Sequence, residues 1–585
     1  MVSGLRIHHP MGWLPGGDAT VYADAQSAGG VSRCTMDGDG GTDRAGDRTA
    51  VQDRASGSFA GWLCLWLPAA GDSQFHDPQF LNFPMIELLL ESLMLIARWD
   101  VAIALLVGAI GGVIIGAIPG VGPAVAIAIL LPATYKLEPL VGLTVLLGIY
   151  GAALYGGAIP AILINTPGTP VNALTTYDGH PIARRGEPRR ALSLAYSASF
   201  IGGIVSVLAL IFLTPKLAAV APYFGSRDIL MAALLGLILV ILTHRGQTLA
   251  AAALVGMGVF ITVVGMEPVR FSDRFVFGLP WLRGGLALIP AVLGLFAISQ
   301  AFILLQSSDV PRQIPKVAGS PFAGLFEVFR RLKRVALCSS GFGIIMGIIP
   351  GVGEFLAQFF SYGLAQKLSK TPEKFGKGSS EGLVAAESAN NAVPAAAMIP
   401  LLALGIPGEA LTAMMLSVFR VHNLIPGPKL FETQSEFVVG LYVCLFLINF
   451  VVLAFLLTAT PLLIRVIKVP ERFLGVVVLT LALVGVYSIR NSLPDCWVAI
   501  GFGLLGYVLR RVNWPLVPII LGMVLGEIIE AKLRTSMARV ETPLDFVNRP
   551  VSATIAVIIV LALAAHVWTE IRNYRQRRTK TSPSS

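Results

Sequence analysis

The stretch GVIIGAIPGVG at residues 112–122 recurs as GIIMGIIPGVG at residues 343–353, an offset of 231 residues from 112 to 343. Both copies lie within long apolar runs, and Pro-Gly-Val-Gly interrupts each run. Helix-breaking residues at bilayer depth are tolerated where they are buried in protein or line a cavity. Paired interruptions in the two halves of a membrane chain therefore indicate a ligand site between the halves.

The composition indicates a polytopic membrane protein. Hydrophobic residues make up 55% of the 585 residues and charged residues only 13%, whereas soluble proteins carry about a quarter charged residues. The net charge of +10 does not indicate nucleic-acid binding, because the lysines and arginines lie mainly in loops and at chain ends. The five cysteines form no CxxC or Cys/His cluster, so neither a disulfide framework nor a metal site is predicted.

Apolar runs divide the chain into segments. Residues 1–84 show no sustained periodicity, and we expect a disordered or misassigned upstream extension, with a real extra cytoplasmic domain as the alternative. Each repeat that follows is predicted to be all-α, with a PGVG hairpin, a Pro-Gly broken helix and four transmembrane helices. The predicted segments are a first transporter-like repeat at 85–306, a basic cytoplasmic linker at 307–334, a second repeat at 335–531, and a loop, one extra C-terminal transmembrane helix and a basic cytoplasmic tail at 532–585.

Loop charge predicts that the two repeats are inverted. ARRGEPRR at 183–190 is strongly basic, whereas its counterpart HNLIPGPKLFETQ at 422–434 holds one lysine. Conversely, the loop at 367–377 is basic and its counterpart YKLEP at 135–139 is nearly neutral. Because basic loops face the cytoplasm, corresponding loops are predicted to face opposite sides of the membrane. The basic loop at 532–549 is the main exception to this scheme.

The second break recurs as well, since IPAILINTPG at 159–168 matches IPLLALGIPG at 399–408. A helix that begins after a break presents unpaired N–H groups and partial positive charge, which suits an anion. Freed carbonyl groups on the other side of a break suit Na⁺. A plain kink is the alternative for any single break. The predicted backbone contacts to substrate are Gly120, Val121, Gly122, Gly168, Gly351, Gly353 and Gly408.

Polar side chains enter the apolar runs in both halves: Asn165, Thr166, Thr169 and Asn172 in the first, and Glu387, Ser388, Asn390 and Asn391 in the second. Polar groups inside a membrane are costly and usually serve a site, although helix–helix hydrogen bonding is the alternative. Asp178 is predicted to be an interfacial turn residue. The predicted substrate-binding side chains are Asn165, Thr166, Thr169, Ser388, Asn390 and Asn391, and the predicted ion-coupling residues are Asn165, Asn390, Glu354 and Glu409.

These motifs closely resemble the large membrane subunit of the tripartite tricarboxylate transporters, the TctA family, over roughly residues 85–545. The resemblance rests on IPGVGP, YGGAIPAILINTPGTP with DGHPIARRG, SKTPEKFGKGSSEG followed by ESANNA, and LGIPGEALTA with IPGP. It implies ion-driven import of a carboxylate such as citrate, usually with Na⁺. It also implies a small four-helix membrane subunit and a periplasmic solute-binding protein as partners. Glu354 and Glu409 depart from the family pattern, which favours a less charged acid or a proton-coupled variant.

We therefore predict a subunit of a binding-protein-dependent secondary transporter that imports a tricarboxylate or related organic acid by alternating access. It would lie in the bacterial inner membrane, with a cytoplasmic C-terminus and with Na⁺ or H⁺ as coupling ion. An uncoupled channel is the alternative, followed by an intramembrane enzyme. Tyr177-Asp178 lacks the Gly-x-Gly-Asp element of aspartyl intramembrane proteases, and no His-Glu-x-x-His occurs. We expect no catalytic residues, no cofactor other than the ion, no metal cluster and no nucleic-acid partner.

Overall fold

The structure, a computed structural model, describes residues 94–244, 246–307, 315 and 317–580. The predicted extension at 1–84 lies outside the described residues. The prediction of an all-α polytopic membrane protein is confirmed. In the described part of the chain, nine helices are long and apolar enough to cross a membrane, and the strands are limited to one two-residue pair, β1 (Gly265–Met266) with β2 (Asp273–Arg274).

The first half contains one helix before and one helix after each Pro-Gly break, and then four further helices. Its helices are α1 (Trp99–Gly116), α2 (Gly122–Thr134), α3 (Pro139–Ile164), α4 (Thr175–Arg184), α5 (Pro188–Val220), α6 (Ser226–Thr243), α7 (Thr248–Val263) and α8 (Leu288–Gln306). A 3₁₀ turn, Pro170–Ala173, joins α3 to α4. The centre of the molecule is α3, because 89% of its apolar window is buried, which leaves little of it for lipid.

The second half follows the same order of elements. Its helices are α9 (Ala323–Glu327), α10 (Lys333–Ile348), α11 (Gly353–Leu368), α12 (Ser380–Asn391), α13 (Val393–Leu404), α14 (Ala410–Val421), α15 (Pro428–Thr433), α16 (Ser435–Val466), α17 (Glu471–Arg490), α18 (Leu493–Arg511), α19 (Val517–Met537) and α20 (Pro550–Lys580). By position, α12 and α13 together match α3. They are separate helices because the chain is interrupted at Ala392, two residues before Pro394.

Two boundaries differ from the predicted ones. The segment predicted as a linker at 307–334 is helical from Ala323 onward, because α9 continues through a π-helical turn at Val328–Leu332 into α10. Gly324 allows this entry, since a Cβ there would lie 2.3 Å from the backbone nitrogen of Leu194 on α5. The loop predicted from 532 begins later, because α19 extends to Met537.

The chain reverses at each PGVG corner. In the first half, Gly108 lies against Val145 and Gly116 against Ala153, so α1 and α3 run parallel. Gly142, near the start of α3, lies against Thr134 at the end of α2, so α2 returns to the level at which α1 began.

The second half behaves in the same way. Gly343 lies against Ala389 and Gly347 against Val393, which makes α10 parallel to α12 and α13. Between them, α11 runs antiparallel to α12, because Ala357 packs with Ala389 and Val393 and the Ser361 hydroxyl donates to the Ala385 carbonyl. Both PGVG segments are therefore hairpins in the structure.

Helix directions also relate the two halves to each other. Helix α3 runs parallel to α16, α16 runs antiparallel to α5, and α5 runs parallel to α12. Helices α3 and α12 consequently run in opposite directions. The contacts that set these directions are Leu140 with Gly440 and Tyr155 with Asn449, Gly203 with Asn449 and Arg189 with Leu457, and Ser199 with Glu387 and Ser206 with Ala392.

Candidate functional site

The two PGVG corners have the same backbone conformation. The first glycine has φ of 83° at Gly120 and 80° at Gly351, and the second has 58° at Gly122 and 62° at Gly353. These left-handed values favour glycine, which lacks the Cβ that makes them costly for other residues. The repeated sequence therefore specifies the same turn twice.

Each corner is hydrogen-bonded to the second break of its own half. The Gly120 N–H donates to the Gly168 carbonyl at 3.2 Å, and the Gly351 N–H donates to the Gly408 carbonyl at 2.6 Å. The four predicted breaks thus form two equivalent pairs. Each pair joins the tip of a hairpin to the break of the following helix.

These bonds change which backbone groups are free for an anion. The N–H groups of Gly120, Val121, Gly168 and Gly351 donate to protein carbonyls, contrary to the expectation that they are unpaired. Gly122 and Gly353, the other predicted corner contacts, begin α2 and α11, and the first N–H groups of a helix have no acceptor within it. The N-terminal turns of α2 and α11 are therefore the parts of the corners suited to an anion.

The second breaks have matching backbones but different side chains. Helix α3 ends at Asn165 with φ of 54°, and α13 ends at Gly405 with φ of 72°. Asn165 and Thr166 are exposed at this end, and the Thr166 hydroxyl donates to the Ile164 carbonyl at 3.3 Å. Asn165 therefore takes the left-handed conformation that glycine often adopts at the C-terminal end of a helix. Its role as an ion ligand stays a prediction.

A buried polar cluster surrounds Glu387 on α12. The Oε1 atom of Glu387 accepts hydrogen bonds from the Thr175 hydroxyl and from Asn172 Nδ2 at 3.4 Å. The Oε2 atom accepts from the Ser199 hydroxyl at 3.0 Å and from Asn391 Nδ2 at 3.3 Å. All five residues are at least 97% buried. The cluster, which we call the Glu387 cluster, joins the segment after the first-half break to α5 and α12.

Thr169 supports this cluster from the first-half break. Its hydroxyl donates to Asn172 Oδ1 at 2.5 Å, and Asn172 Nδ2 also donates to the Leu154 carbonyl at 3.1 Å. The predicted site residues Thr169 and Asn391 therefore belong to one hydrogen-bond network, although 222 positions separate 169 from 391 in the sequence.

The three predicted polar residues of α12 have different surroundings. Ser388 donates its hydroxyl to the Ala198 carbonyl at 3.0 Å and so links α12 to α5. Asn391 belongs to the Glu387 cluster through its Nδ2, while its Oδ1 has no hydrogen-bond partner. Asn390 is 1% exposed and neither Nδ2 nor Oδ1 has a partner. Because an unpaired buried amide costs roughly 1–3 kcal/mol, Asn390 is the residue of the three that is best placed to gain from a ligand.

Two carboxylates lie at the second PGVG corner. Glu354 Oε1 accepts a hydrogen bond from the Tyr150 hydroxyl at 2.8 Å. Glu409 Oε2 lies 3.6 Å from the position a Cβ would take on Gly353, and its Oε1 has no hydrogen-bond partner. By position, the first corner has proline at 123 where the second has Glu354. The two corners thus share a backbone and differ in charge.

A family model described as the tripartite tricarboxylate transporter TctA family matches residues 102–521. The chain belongs to the TctA family. An uncharacterised 52.8 kDa protein of the TAR-I ttuC' 3' region of Agrobacterium vitis is 34% identical over 477 residues, which cover 81% of this chain and 94% of that protein. An uncharacterised protein of the TAR-II ttuC' 3' region is 36% identical over 237 residues, or 40% of this chain and 98% of that protein. No solved structure matches the chain.

The predicted family is therefore confirmed, and the match includes both PGVG corners, both second breaks and the Glu387 cluster. TctA is a family of transporters, and the apolar helices agree with a multi-pass membrane protein of that family. In the described part of the chain, no group of three or more His, Cys, Asp or Glu residues could hold a metal ion.

Asp178 of the TctA-family chain is not the interfacial turn residue that we predicted. It is fully buried on α4, and its Oδ1 accepts from the N–H groups of Gly378 and Ser379 at 2.8 and 2.7 Å. Its Oδ2 accepts from the Tyr362 hydroxyl at 2.8 Å. The first N–H groups of a helix have no acceptor within the helix, and a carboxylate at the N-terminus can accept hydrogen bonds from them. Its negative charge also interacts favourably with the positive end of the helix dipole, so Asp178 stabilises the start of α12.

Sequence reasoning missed several residues that contact the site. Thr175, Ser199 and Tyr150 each donate a hydroxyl to a buried carboxylate, and Gln358 donates to the Val171 carbonyl in the 3₁₀ turn. These residues lie outside the polar groups that mark the breaks, and all four bonds join the two halves. Only packing brings them to the site.

A cavity of about 400 Å³ opens beside the second-half break. Leu404, Gly405 and Ile406 line it at the end of α13, and Arg420 and Lys532 contribute positive charge. Arg420 is paired with Glu527 on α19. The cavity therefore lies next to one of the predicted breaks, and Lys532 is its basic lining residue outside the Arg420–Glu527 ion pair.

Proposed function

We propose that this chain is the large transmembrane subunit of a secondary transporter that imports an organic carboxylate with an ion gradient. In this proposal, a solute-binding protein delivers the carboxylate, and a small membrane subunit completes the complex. The single observation that carries it is the pair of equivalent PGVG corners, each hydrogen-bonded to the second break of its own half. Paired helix breaks in two opposed repeats are typical of secondary transporters that work by alternating access.

The opposed helix directions support inverted repeats. Helix α3 and its counterpart, α12 with α13, precede the matching breaks, and α3 and α12 run in opposite directions, as the loop charges predict. In such folds the substrate binds between the repeats, where half-helix N-termini face its anionic groups. The N-terminal turns of α2 and α11 are the corresponding groups here.

The side chains favour a carboxylate of modest charge. Asn390 offers an unpaired amide, and the N-terminal helix turns offer N–H groups, all of which suit a carboxylate. Glu354 and Glu409, when ionised, would repel a second or third carboxylate near the second corner. We therefore propose a dicarboxylate or hydroxy acid in preference to a trianion such as citrate.

The cavity beside the second-half break supports a route for the anion. Arg420 and Lys532 line its wall, and by loop charge the neighbouring segment at 422–434 faces the periplasm. A carboxylate released by a binding protein would meet Lys532 and the Arg420–Glu527 ion pair at this wall first. Electrostatic attraction to a basic side chain raises the local concentration of an anion.

The experiment is uptake into membrane vesicles that contain this chain, the small membrane subunit and one purified binding protein. Labelled dicarboxylates and tricarboxylates are offered with and without an inward Na⁺ gradient. We expect accumulation above the external concentration only when the gradient and the binding protein are present. No accumulation of any organic acid under either condition would refute the proposal.

An uncoupled channel is the second candidate, and the same vesicles distinguish it. A channel would equilibrate the acid across the membrane without concentrating it, and uptake would not respond to the ion gradient. The paired equivalent corners favour the transporter.

A further inference from the structure

We propose that the Glu387 cluster is the binding site of the coupling cation, and that this cation is Na⁺. The ligands would be the Glu387 carboxylate and the side-chain oxygens of Thr175, Ser199 and Asn391. The inference rests on the proposed function and deepens it, because it assigns the coupling ion to residues other than the four predicted ones, Asn165, Asn390, Glu354 and Glu409.

The first argument is charge. The Glu387 carboxylate is fully buried, and in the described part of the chain no Lys, Arg or His forms an ion pair with it. Its hydrogen-bond partners are all neutral. A buried charge without a counterion is costly, and an ionisable residue within a membrane usually marks an ion pathway. One bound monovalent cation would neutralise the site.

The second argument is the set of ligand atoms. Glu387 contributes two oxygens, and the hydroxyls of Thr175 and Ser199 both contact them. These hydroxyls can rotate, so that their oxygens turn from donating to the carboxylate to binding a cation. Oxygen ligands of this kind are what hard cations prefer.

The third argument is the free oxygen of Asn391. This residue is 3% exposed, its Nδ2 lies 2.8 Å from Ser199 Oγ, and its Oδ1 has no partner. Rotation of the amide by half a turn would place Oδ1 where Nδ2 now lies, beside Ser199 and Glu387. After this rotation a buried amide oxygen would face the cluster, in exchange for the hydrogen bonds that Nδ2 now donates to the carboxylate and backbone carbonyl of Glu387.

The carboxylate count favours a monovalent cation. The cluster contains a single acidic residue, and the described part of the chain has no group of three His, Cys, Asp or Glu residues that could hold a metal. The single negative charge of one carboxylate neutralises the charge of Na⁺, whereas a divalent ion would leave one uncompensated positive charge in the bilayer.

The position explains how the cation would act on the substrate. Asn172 and Thr175 follow the first-half break directly, and Glu387 lies one helical turn before Asn390. A cation in the cluster would hold the first-half break against α12 of the second half. The substrate site would then be formed only when the cation is bound.

The test uses the purified chain without substrate, so it does not depend on knowing the acid. The midpoint of thermal unfolding is measured while NaCl replaces choline chloride at constant ionic strength. A ligand that binds only the folded state raises this midpoint in a saturable way. We expect a saturable rise with Na⁺ for the wild type, and no rise for Glu387→Gln, which keeps the size and one oxygen of the side chain.

Two weaker variants cover the case in which Glu387→Gln fails to fold. Ser199→Ala and Thr175→Val each remove one ligand oxygen, and we expect about 10- to 100-fold weaker apparent Na⁺ affinity, the range seen when a supporting group is lost at a metal site. Ser197→Ala is the matched control, since Ser197 is also buried on α5 but donates within its own helix, to the Ser193 carbonyl. It should keep the wild-type Na⁺ response.

Two outcomes would overturn the inference. One is a wild-type midpoint that is the same in NaCl and choline chloride, or that responds to pH alone. The other is a Na⁺ response that Glu387→Gln and Ser199→Ala leave unchanged. Failure of vesicle uptake with an intact, Glu387-dependent Na⁺ response would instead count against the proposed function, so the two failures are distinguishable.

Discussion

Replacement of Gly351 by alanine tests the corner that the repeated sequence specifies. A Cβ at this position would lie 2.2 Å from Val240 Cγ2 and 2.9 Å from Val240 Cα on α6. Its φ of 80° is also in the left-handed region. Gly122 provides the comparison, because its φ is 58° and a Cβ there would have no atom within 4 Å.

The expected losses of unfolding free energy follow from the left-handed φ and from the steric overlap with Val240. A left-handed backbone costs a non-glycine residue roughly 1–2 kcal/mol, so this is the full expected loss for Gly122→Ala. At Gly351 the overlap with the Val240 backbone adds about 1–3 kcal/mol of overpacking, for a total of about 2–5 kcal/mol. Gly111→Ala is the control in α1, where space is open and alanine is preferred by roughly 0.5–1 kcal/mol.

The assay is thermal unfolding of the three purified variants in one detergent, followed by tryptophan fluorescence. We expect the midpoints to fall in the order Gly111→Ala, wild type, Gly122→Ala and Gly351→Ala, from highest to lowest. Val240→Ala in the Gly351→Ala background should restore only part of the loss, because the nearest backbone atoms of residue 240 remain. Equal midpoints for Gly122→Ala and Gly351→Ala would refute the assignment of the difference to this contact.

Three further outcomes are expected. Asn390→Ala should abolish uptake in vesicles while the protein remains folded by size-exclusion chromatography, and normal uptake would remove Asn390 from the site. Gly202→Ala would place a Cβ 2.3 Å from a backbone oxygen of α12 and should lower the unfolding midpoint. Gly151→Ala is the control, because a Cβ there would have no atom within 4 Å, and it should leave the midpoint unchanged. Equal midpoints for the two variants would contradict the close packing of α5 against α12 at Gly202. Tyr150→Phe leaves a buried oxygen of Glu354 without its donor and should cost about 1–3 kcal/mol in thermal unfolding, and an unchanged midpoint would mean that this bond contributes nothing.

Much of the site follows from local features of the sequence. The two PGVG corners and the two later breaks are visible because proline lacks an N–H group and glycine permits left-handed φ, whatever surrounds them. The grouping of Asn165 to Asn172 and of Glu387 to Asn391 was also visible, since polar residues stand out in apolar runs. The structure places these groups beside each other through the Glu387 cluster.

The sequence could not separate residues that look alike. Ser388, Asn390 and Asn391 are near neighbours on one helix, yet one links helices, one has no partner and one binds Glu387. Successive helical residues point about 100° apart, so the identity of each facing helix decides the role. Asp178 was misassigned for the same reason, because the helix N-terminus that it contacts, at the start of α12, is about 200 positions away.

The sequence by itself determined that this is a membrane transport chain of two related halves, with helix breaks at four matched positions. It could do so because hydropathy, proline and glycine act on the residues next to them. Only the tertiary structure decided which breaks pair, which amides are left free and which hydroxyls meet the buried carboxylates of Glu354 and Glu387. The paired breaks are 48 and 57 positions apart (120 to 168 and 351 to 408), and the hydroxyl–carboxylate contacts join positions about 200 residues apart. All of these contacts exist only after the helices have packed against each other.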